Sequence, residues 1–320
     1  MNTSYDNSTA VAVLPPVSGG RLQDKSLRTW LARSDLELEL EKQELLAQLV
    51  AVLGLPYPDE GLAALRMWGQ TGDRPTVWIA GADPVYLEPR LDHLRLHSLS
   101  RAAVPPADLR ALFNHLQTTL SGDKRFGFAR LGACGYLRST SPIATASVPA
   151  YVVDNKVPTE FLPQGDDSAA YRNLLSEIEM SLHDHEANRR RVAAGQQPVN
   201  GLWLWGGGLA PARQTRSQPP LYSDDPLLLG YWDSANAVAE PWPGSISDCV
   251  NRAAAAGFVA VTPEYQDDPA FLEDCLRQLR TALSEKRIDR LIILFRDGRR
   301  AHVRRSHKLR FWRLDSKLLD

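Results

Sequence analysis

From residue 168 onward short apolar runs alternate with amphipathic segments, and this alternation constrains the chain more than any other feature. A helix beginning at Ser168 precedes an expected strand at Gly201–Trp205, and a short apolar run follows at Leu227–Tyr231. A helix around Ile246–Ala256 leads to a strand at Phe258–Thr262, and a helix at Ala270–Leu283 leads to a strand at Leu291–Phe295. Strands separated by helices of about 10–15 residues form βαβ units, whose strands come together in a mostly parallel sheet.

The first half reads differently. EKQELLAQLVAVLG carries Leu45, Leu46, Leu49, Val52 and Leu53 on one helical stripe, with Gly54 suited to the stop. In PVYLEPRLDHLRLHSL the period changes to two. Val85 and Leu87, then Leu94 and Leu96, alternate across a turn near Arg90, which predicts a hairpin over Pro84–Leu96. A helix over Pro106–Leu120 carries Leu109, Leu112, Phe113 and Leu116, and RFGFARLG and CGYLRST read as two more strands. The expected fold class is therefore α/β, with an α+β N-terminal half and a C-terminal half built on a mostly parallel sheet flanked by helices. The expected organisation is a disordered tail over 1–24, an α+β region over 25–140, a Pro/Ser/Thr/Asp-rich linker or long loop over 141–167, and an α/β region over 168–320. No internal repeat is evident.

Charge and composition exclude several classes. A formal net charge of −1 supplies no global field for nucleic acid or an anionic membrane. The three cysteines, Cys134, Cys249 and Cys275, are widely spaced and suggest neither a disulfide framework nor a metal-binding pair. MNTSYDNSTAVAVLPP lacks the basic and apolar regions of a secretory signal. No apolar run approaches the roughly 20 residues that span a bilayer. A reducing cytoplasm is the expected home.

The chemistry-bearing residues concentrate between 185 and 211. Tyr171, Leu174, Leu175, Ile178 and Leu182 form an apolar stripe, and continuing it reaches His185 and then Asn188. His185 reads either as a core-edge histidine bonded to a backbone carbonyl or as a ligand-contacting, proton-transferring group. His183 falls on another helical face, so the pair is a poor chelate and no zinc site is expected. In NGLWLWGGGLAP, Trp203 and Trp205 occupy one face of a strand and Leu202 and Leu204 the other. Gly206, Gly207 and Gly208 allow close backbone approach or positive φ. They could turn amides toward an anion, but the G-x-G-x-x-G pattern and the P-loop lysine are missing. The glycines are read as the strand's exit into a loop beside His185, Asn188 and Arg191.

This run, His185-Glu-Ala-Asn188-Arg-Arg-Arg191 through Gly195, Pro198 and Asn200 to Trp203-Leu-Trp205-Gly206-Gly-Gly208-Leu-Ala-Pro211, resembles a segment of the archaeal-type cofactor-independent phosphoglycerate mutases. It is still more similar to the bacterial RpfE-type regulatory proteins, as are the preceding helix and the hairpin. Glu186 stands where that pattern has proline. The resemblance implies a degenerate alkaline-phosphatase-like fold. It would imply two metal ions, a Ser or Thr nucleophile and Asp/His ligands if the mutase reaction came with it. An N-terminal Asp-Gly ligand segment is absent, Asp297-Gly298 reads as a turn, and His302 and His307 lie in a basic tail.

That tail holds eleven Lys or Arg between Lys286 and Arg313. It reads as a solvated face, with Phe311 and Trp312 anchoring a C-terminal element; binding of nucleic-acid phosphates is the alternative. The acidic stretch Asp35–Glu44 reads as a solvated helix start. The expectation is a non-catalytic, mutase-like regulatory or ligand-binding protein of the RpfE type. The alternatives are a mutase-like phosphoryl-transfer enzyme and a nucleic-acid-binding regulator. Candidate ligand-binding residues are His185, Asn188, Arg191, Asn200, Gly206, Gly207 and Gly208, with Trp203 and Trp205 structural. No resident metal or cofactor is expected unless the mutase alternative holds. The expected partner is a small molecule, phosphorylated or not, or a protein, rather than a membrane or nucleic acid.

Overall fold

A computed structural model describes residues 9–99, 103–122, 125–165, 168–253, 257–266 and 268–320. The chain begins β1 (Thr9–Leu14), α1 (Lys25–Ala32), β2 (Asp35–Leu38), α2 (Leu45–Leu53), α3 (Leu62–Thr71), β3 (Ile79–Pro89) and β4 (Leu94–Ser98). It continues through α4 (Pro106–Leu120), β5 (Phe126–Leu131), β6 (Cys134–Ser139), α5 (Ala150–Val153), α6 (Ser168–His183), α7 (Glu186–Ala193) and β7 (Gly201–Gly208). The last elements are β8 (Leu221–Tyr222), α8 (Pro226–Ser234), β9 (Ala239–Glu240), α9 (Ile246–Ala253), β10 (Val259–Val261), α10 (Pro269–Ser284), β11 (Arg290–Phe295) and β12 (Arg299–Arg304).

Two compact units divide these elements: Met1–Gln43, Gln48–Pro56 and Arg213–Asp320 in one, Glu44–Ala47 and Tyr57–Ala212 in the other. The first holds a seven-stranded sheet in the order β2-β12-β11-β1-β10-β8-β9. Its strands β11, β1, β10, β8 and β9 are parallel, while β12 and β2 are added antiparallel at one edge. All six residues of β1 are buried, as a strand covered on both faces requires. Ala10, Ala12 and Leu14 pack with Leu27 and Leu31 of α1, Cys249 and Val250 of α9, and Leu272, Leu276 and Leu279 of α10.

The expected disordered tail is therefore corrected from Thr9 onward. Those residues form a central strand, paired in register with β10 on one side and β11 on the other; residues 1–8 lie outside the described set. Because the chain's start and its C-terminal third share one sheet, the expected division at 141–167 is also not the one observed. That stretch packs within the second unit. Leu96 N–H donates to the Lys156 carbonyl, Ser98 N–H to Asp154, and Ala146 N–H to the Leu204 carbonyl. The expected helix at Ile246–Ala256 is described as far as Ala253, residues 254–256 lying outside the described set. The apolar run Leu227–Tyr231 lies in a helix, α8, capped by Asp225, whose carboxylate accepts from Leu227 N–H and Leu228 N–H. The acidic stretch from Asp35 starts as strand β2, and Glu44 alone plays the helix-start role, accepting from Leu46 N–H and Ala47 N–H at the head of α2.

The second unit is an antiparallel sheet built around β3. One edge of β3 pairs with β7; the other pairs with β6 near its start and with β4 near its end, and β5 extends β6. The expected hairpin is β3–β4, with Leu87 opposite Leu96. The apolar faces of α4 (Leu109, Leu112, Phe113, Leu116) and α6 (Tyr171, Leu174, Ile178, Leu182) close over Leu202 and Leu204 of β7.

Candidate functional site

The apolar stripe of α6 does not continue into the 185–191 segment. The helix ends at His183, and His185 adopts an extended conformation (φ −68°, ψ 139°) as the N-cap of α7. Its Nδ1 accepts from Ala187 N–H at 3.1 Å, which requires the neutral ring, and the ring lies 4.9 Å from that of His115. Burial, then the nearby His115, pushes the His185 pKa down.

Asn188 is 2% exposed and joins three backbone groups. Its Nδ2 donates to the carbonyls of Leu182 and Val199 at 2.8 Å each, and its Oδ1 accepts from Val199 N–H at 2.9 Å. Arg191, 3% exposed, donates through Nε to the Gln197 carbonyl and through Nη2 to the Ala103 carbonyl. Its Nη1 faces Asp108 Oδ2 at 3.9 Å. Asn200 brackets Leu87, accepting from its N–H at 2.7 Å and donating to its carbonyl at 2.9 Å. Most polar atoms of this motif are thus spent on the chain's own backbone, while Arg191 Nη1, buried beside Asp108, has no hydrogen-bond partner. Together they hold the α6–α7 corner, the α7–β7 connection and the edge of β3.

β7 runs through all three glycines and does not exit at Trp205. Gly206 has φ +59°, and a side chain at Gly207 would collide with Trp78 and Thr145. These glycines are needed for close packing, and the space a cradled ligand would take holds Trp78 and the N-terminus of α3. Trp203 and Trp205 are each 2% exposed. Trp203 Nε1 donates to the Val148 carbonyl at 2.8 Å. The Arg66 guanidinium lies 5.0 Å from the Trp205 ring centroid and 4.7 Å from that of Tyr136. Arg66 also pairs with Asp83 at 2.7 Å and donates to the Gly135 carbonyl at 2.8 Å. Burial, the largest single influence, opposes its charge, but the Asp83 carboxylate together with Tyr136 and Cys134 overcomes it and the Arg66 pKa is raised. Sequence reasoning missed Arg66 and Asp83 because α3 carries no clean apolar period and the two residues meet only across the sheet.

In the first unit the carboxyl ends of the parallel strands form the edge where open α/β sheets bind ligands. The chain there presents Pro15 and Pro16 after β1, Ser223 and Asp225 after β8, Thr262 and Glu264 after β10, and Arg296 and Asp297 after β11. Asp297 is committed to the turn, accepting from Val17 N–H and Ser18 N–H and pairing with Arg299. The metal ions that the mutase resemblance would imply do not fit this donor set. Among the described residues no three of His, Cys, Asp or Glu stand close enough to share an ion.

The basic segment is largely paired internally: Arg305 with Asp289, Arg310 and Arg313 with Asp35, and Arg287 with Asn251. The expectation that Phe311 and Trp312 anchor the C-terminal element to the core is corrected. They are 72% and 66% exposed, stacked edge-on against each other, and Arg310 and Arg313 tether the segment to Arg33, Ser34 and Asp35 instead.

No protein-family model matches the chain. The chain is 38% identical over 64 residues to a 2,3-bisphosphoglycerate-independent phosphoglycerate mutase of Methanothrix thermoacetophila, covering 20% of this chain and 16% of that protein. It is 24% identical over 123 residues to a mutase of the same description from Methanosarcina barkeri, covering 38% and 31%. With a probable mutase of that description from Geobacter sulfurreducens it shares 27% identity over 137 residues, covering 40% and 32%. These matches span less than a third of each curated relative's length. Among solved structures, a protein of Pyrococcus horikoshii superposes with a TM-score of 0.52 at 11% identity, covering 94% of this chain and 88% of that one; at that identity the likeness is one of fold. A cofactor-independent phosphoglycerate mutase of Thermoplasma acidophilum covers 93% and 89%, with a TM-score of 0.44 and 18% identity.

Proposed function

We propose that the chain is a distant, mutase-like α/β protein that binds a small anionic ligand in a regulatory role and does not catalyse metal-dependent mutase turnover. The observation that carries this reading is the use made of the motif through which the chain resembles the mutases. Asn188 and Asn200 spend their polar atoms on backbone groups, Arg191 bonds two backbone carbonyls through Nε and Nη2, and His185 caps a helix. Such residues transmit a fold and leave little for chemistry. The donor set adds to it, since two-metal phosphoryl transfer needs clustered carboxylates and imidazoles and the described residues bring no three together. The RpfE-type regulatory assignment belongs to this proposal, resting on the 185–211 run together with the α6 and hairpin segments. The cytoplasmic location belongs to the same proposal, supported by three cysteines that form no disulfide with one another. Among the described residues no helix is long and apolar enough to cross a membrane.

A second reading, an active cofactor-independent phosphoglycerate mutase, is favoured by the description that all three curated relatives share. One assay separates the two. Purified protein with Mn²⁺ is expected not to interconvert 2- and 3-phosphoglycerate. Chelator-sensitive interconversion that co-purifies with the chain and is abolished on its immunodepletion would establish the second reading.

A further inference from the structure

Arg296 lies at the end of the central strand of the parallel sheet. It follows β11, and its N–H donates to the Leu14 carbonyl at the end of β1. Its Nη2 reaches the Thr262 carbonyl after β10 at 2.7 Å. Because β1 lies between β11 and β10, the side chain spans the end of the central strand. The guanidinium is therefore fixed on the carboxyl edge of the parallel sheet. Its Nε is buried and has no hydrogen-bond partner in the protein.

Three arginines that follow it in sequence are matched with acids: Arg299 with Asp297 at 3.3 Å, Arg305 with Asp289 at 2.5 Å, and Arg310 with Asp35 at 2.5 Å. Arg296 has no carboxylate within ion-pair distance among the described residues. A half-buried charge without a counter-ion is costly, as is a buried donor without an acceptor. One anion, placed where such sheets bind ligands, answers both costs.

We propose that Arg296 is the anchor of an anion-binding site at the carboxyl edge of the parallel sheet, taking the phosphate or carboxylate group of a small metabolite. Asp225 lies within electrostatic reach of Arg296, and Glu264, two residues beyond the Thr262 whose carbonyl Arg296 holds, lies within electrostatic reach of Asp225. Asp225 is half-buried, spends Oδ1 on the first amides of α8, and has its carboxyl pKa raised by burial, with Glu264 adding to the rise and Arg296 opposing it. Glu264 is exposed and has no such tie, so it is the group that opposes an incoming anion. This gives the proposal a direction that a purely structural arginine would not share: neutralising Glu264 strengthens binding.

The inference rests on the ligand-binding part of the proposed function and is independent of turnover. The test is titration of the full chain with inorganic phosphate, sulfate and 3-phosphoglycerate at constant ionic strength, by calorimetry and thermal shift, with chloride as control. Saturable binding is expected for phosphate or 3-phosphoglycerate. Arg296→Lys, which keeps the charge but lacks the Nε–H, is expected to weaken it about tenfold, and Arg296→Gln to abolish it. Glu264→Gln is expected to tighten it about threefold. Absence of saturable binding by the wild-type chain, equal affinity in a folded Arg296→Gln protein, or unchanged affinity in Glu264→Gln would each overturn the proposal. The Glu264 variant decides the matter even if the Arg296 variants do not fold. Mutase turnover with intact Arg296-dependent binding would overturn only the non-catalytic reading.

Discussion

Asn188 shows how a side chain that looks chemical in sequence can be architectural in the fold. Its single amide group satisfies the Leu182 carbonyl at the end of α6 and both backbone groups of Val199 just before β7. Removing it leaves buried backbone groups without partners, each worth about 1–3 kcal/mol. Asn188→Ala is expected to lower unfolding stability by about 2–4 kcal/mol in urea titration, and the variant should keep any anion binding in proportion to its folded fraction. A loss of binding with an unchanged urea midpoint would instead make Asn188 a ligand contact. The sequence placed His185, Asn188, Arg191 and Asn200 in one motif, and they do lie along one continuous corner of the fold. Their roles were not visible there because the partners are remote in sequence: Arg191 meets the Ala103 carbonyl and Asn200 meets Leu87. Arg296 was read only as one charge in a basic run, since nothing local reveals that it reaches across the end of β1 to the Thr262 carbonyl with its Nε left unpartnered.

Elements whose identity depends on local period were legible. The helix over Pro106–Leu120 and the hairpin of β3 and β4 follow from apolar spacing and turn residues alone. β1 was not legible. Its run TAVAVL is short, lies beside two prolines and follows a polar opening, so local composition argued for a tail. Its strand partners lie more than 240 residues away, Val259–Val261 and Arg290–Phe295. The discontinuous first unit was missed for the same reason, because period reports faces and not partners. Ala12 tests the point. It is fully buried at the middle of β1, opposite Ala260 and Ile293. A carboxylate there would be buried without a partner, a cost of several kcal/mol. Ala12→Asp is expected to abolish the cooperative melt followed by circular dichroism or to leave the protein insoluble. A well-folded Ala12→Asp chain with a native-like melting temperature would restore the tail reading.

At the scale of the whole molecule, the sign of its acid response follows from where burial shifts its titrating groups. His185, His302 and His307 all have pKa values pushed below the ordinary histidine value of 6.5, with burial the largest cause in each. The unfolded chain therefore takes up these protons first as pH falls. Their contribution to stability is fully present above about pH 6.5 and is lost as pH drops from there toward the lower folded values. Carboxylates held low by partners, such as Asp35 by Arg310 and Glu88 by His97, contribute stability that is lost only at the lower pH where carboxylates titrate. Asp225 and Glu179, raised by burial, act in the opposite sense, favouring the fold below their ordinary values and losing that contribution as pH rises. Below about pH 6.5 the three histidines contribute a slope that lowers stability on acidification. His185 adds a structural reason, because its Nδ1 must stay unprotonated to accept from Ala187 N–H and cap α7. Asparagine caps helices well and does not titrate. The melting temperature of the wild-type chain is thus expected to fall between about pH 7 and pH 5.5, and that of His185→Asn to fall less steeply while matching or exceeding wild type at the acidic end. Parallel curves for the two proteins would mean that the His185 ring carries its proton in the folded chain and that the cap is made by other means.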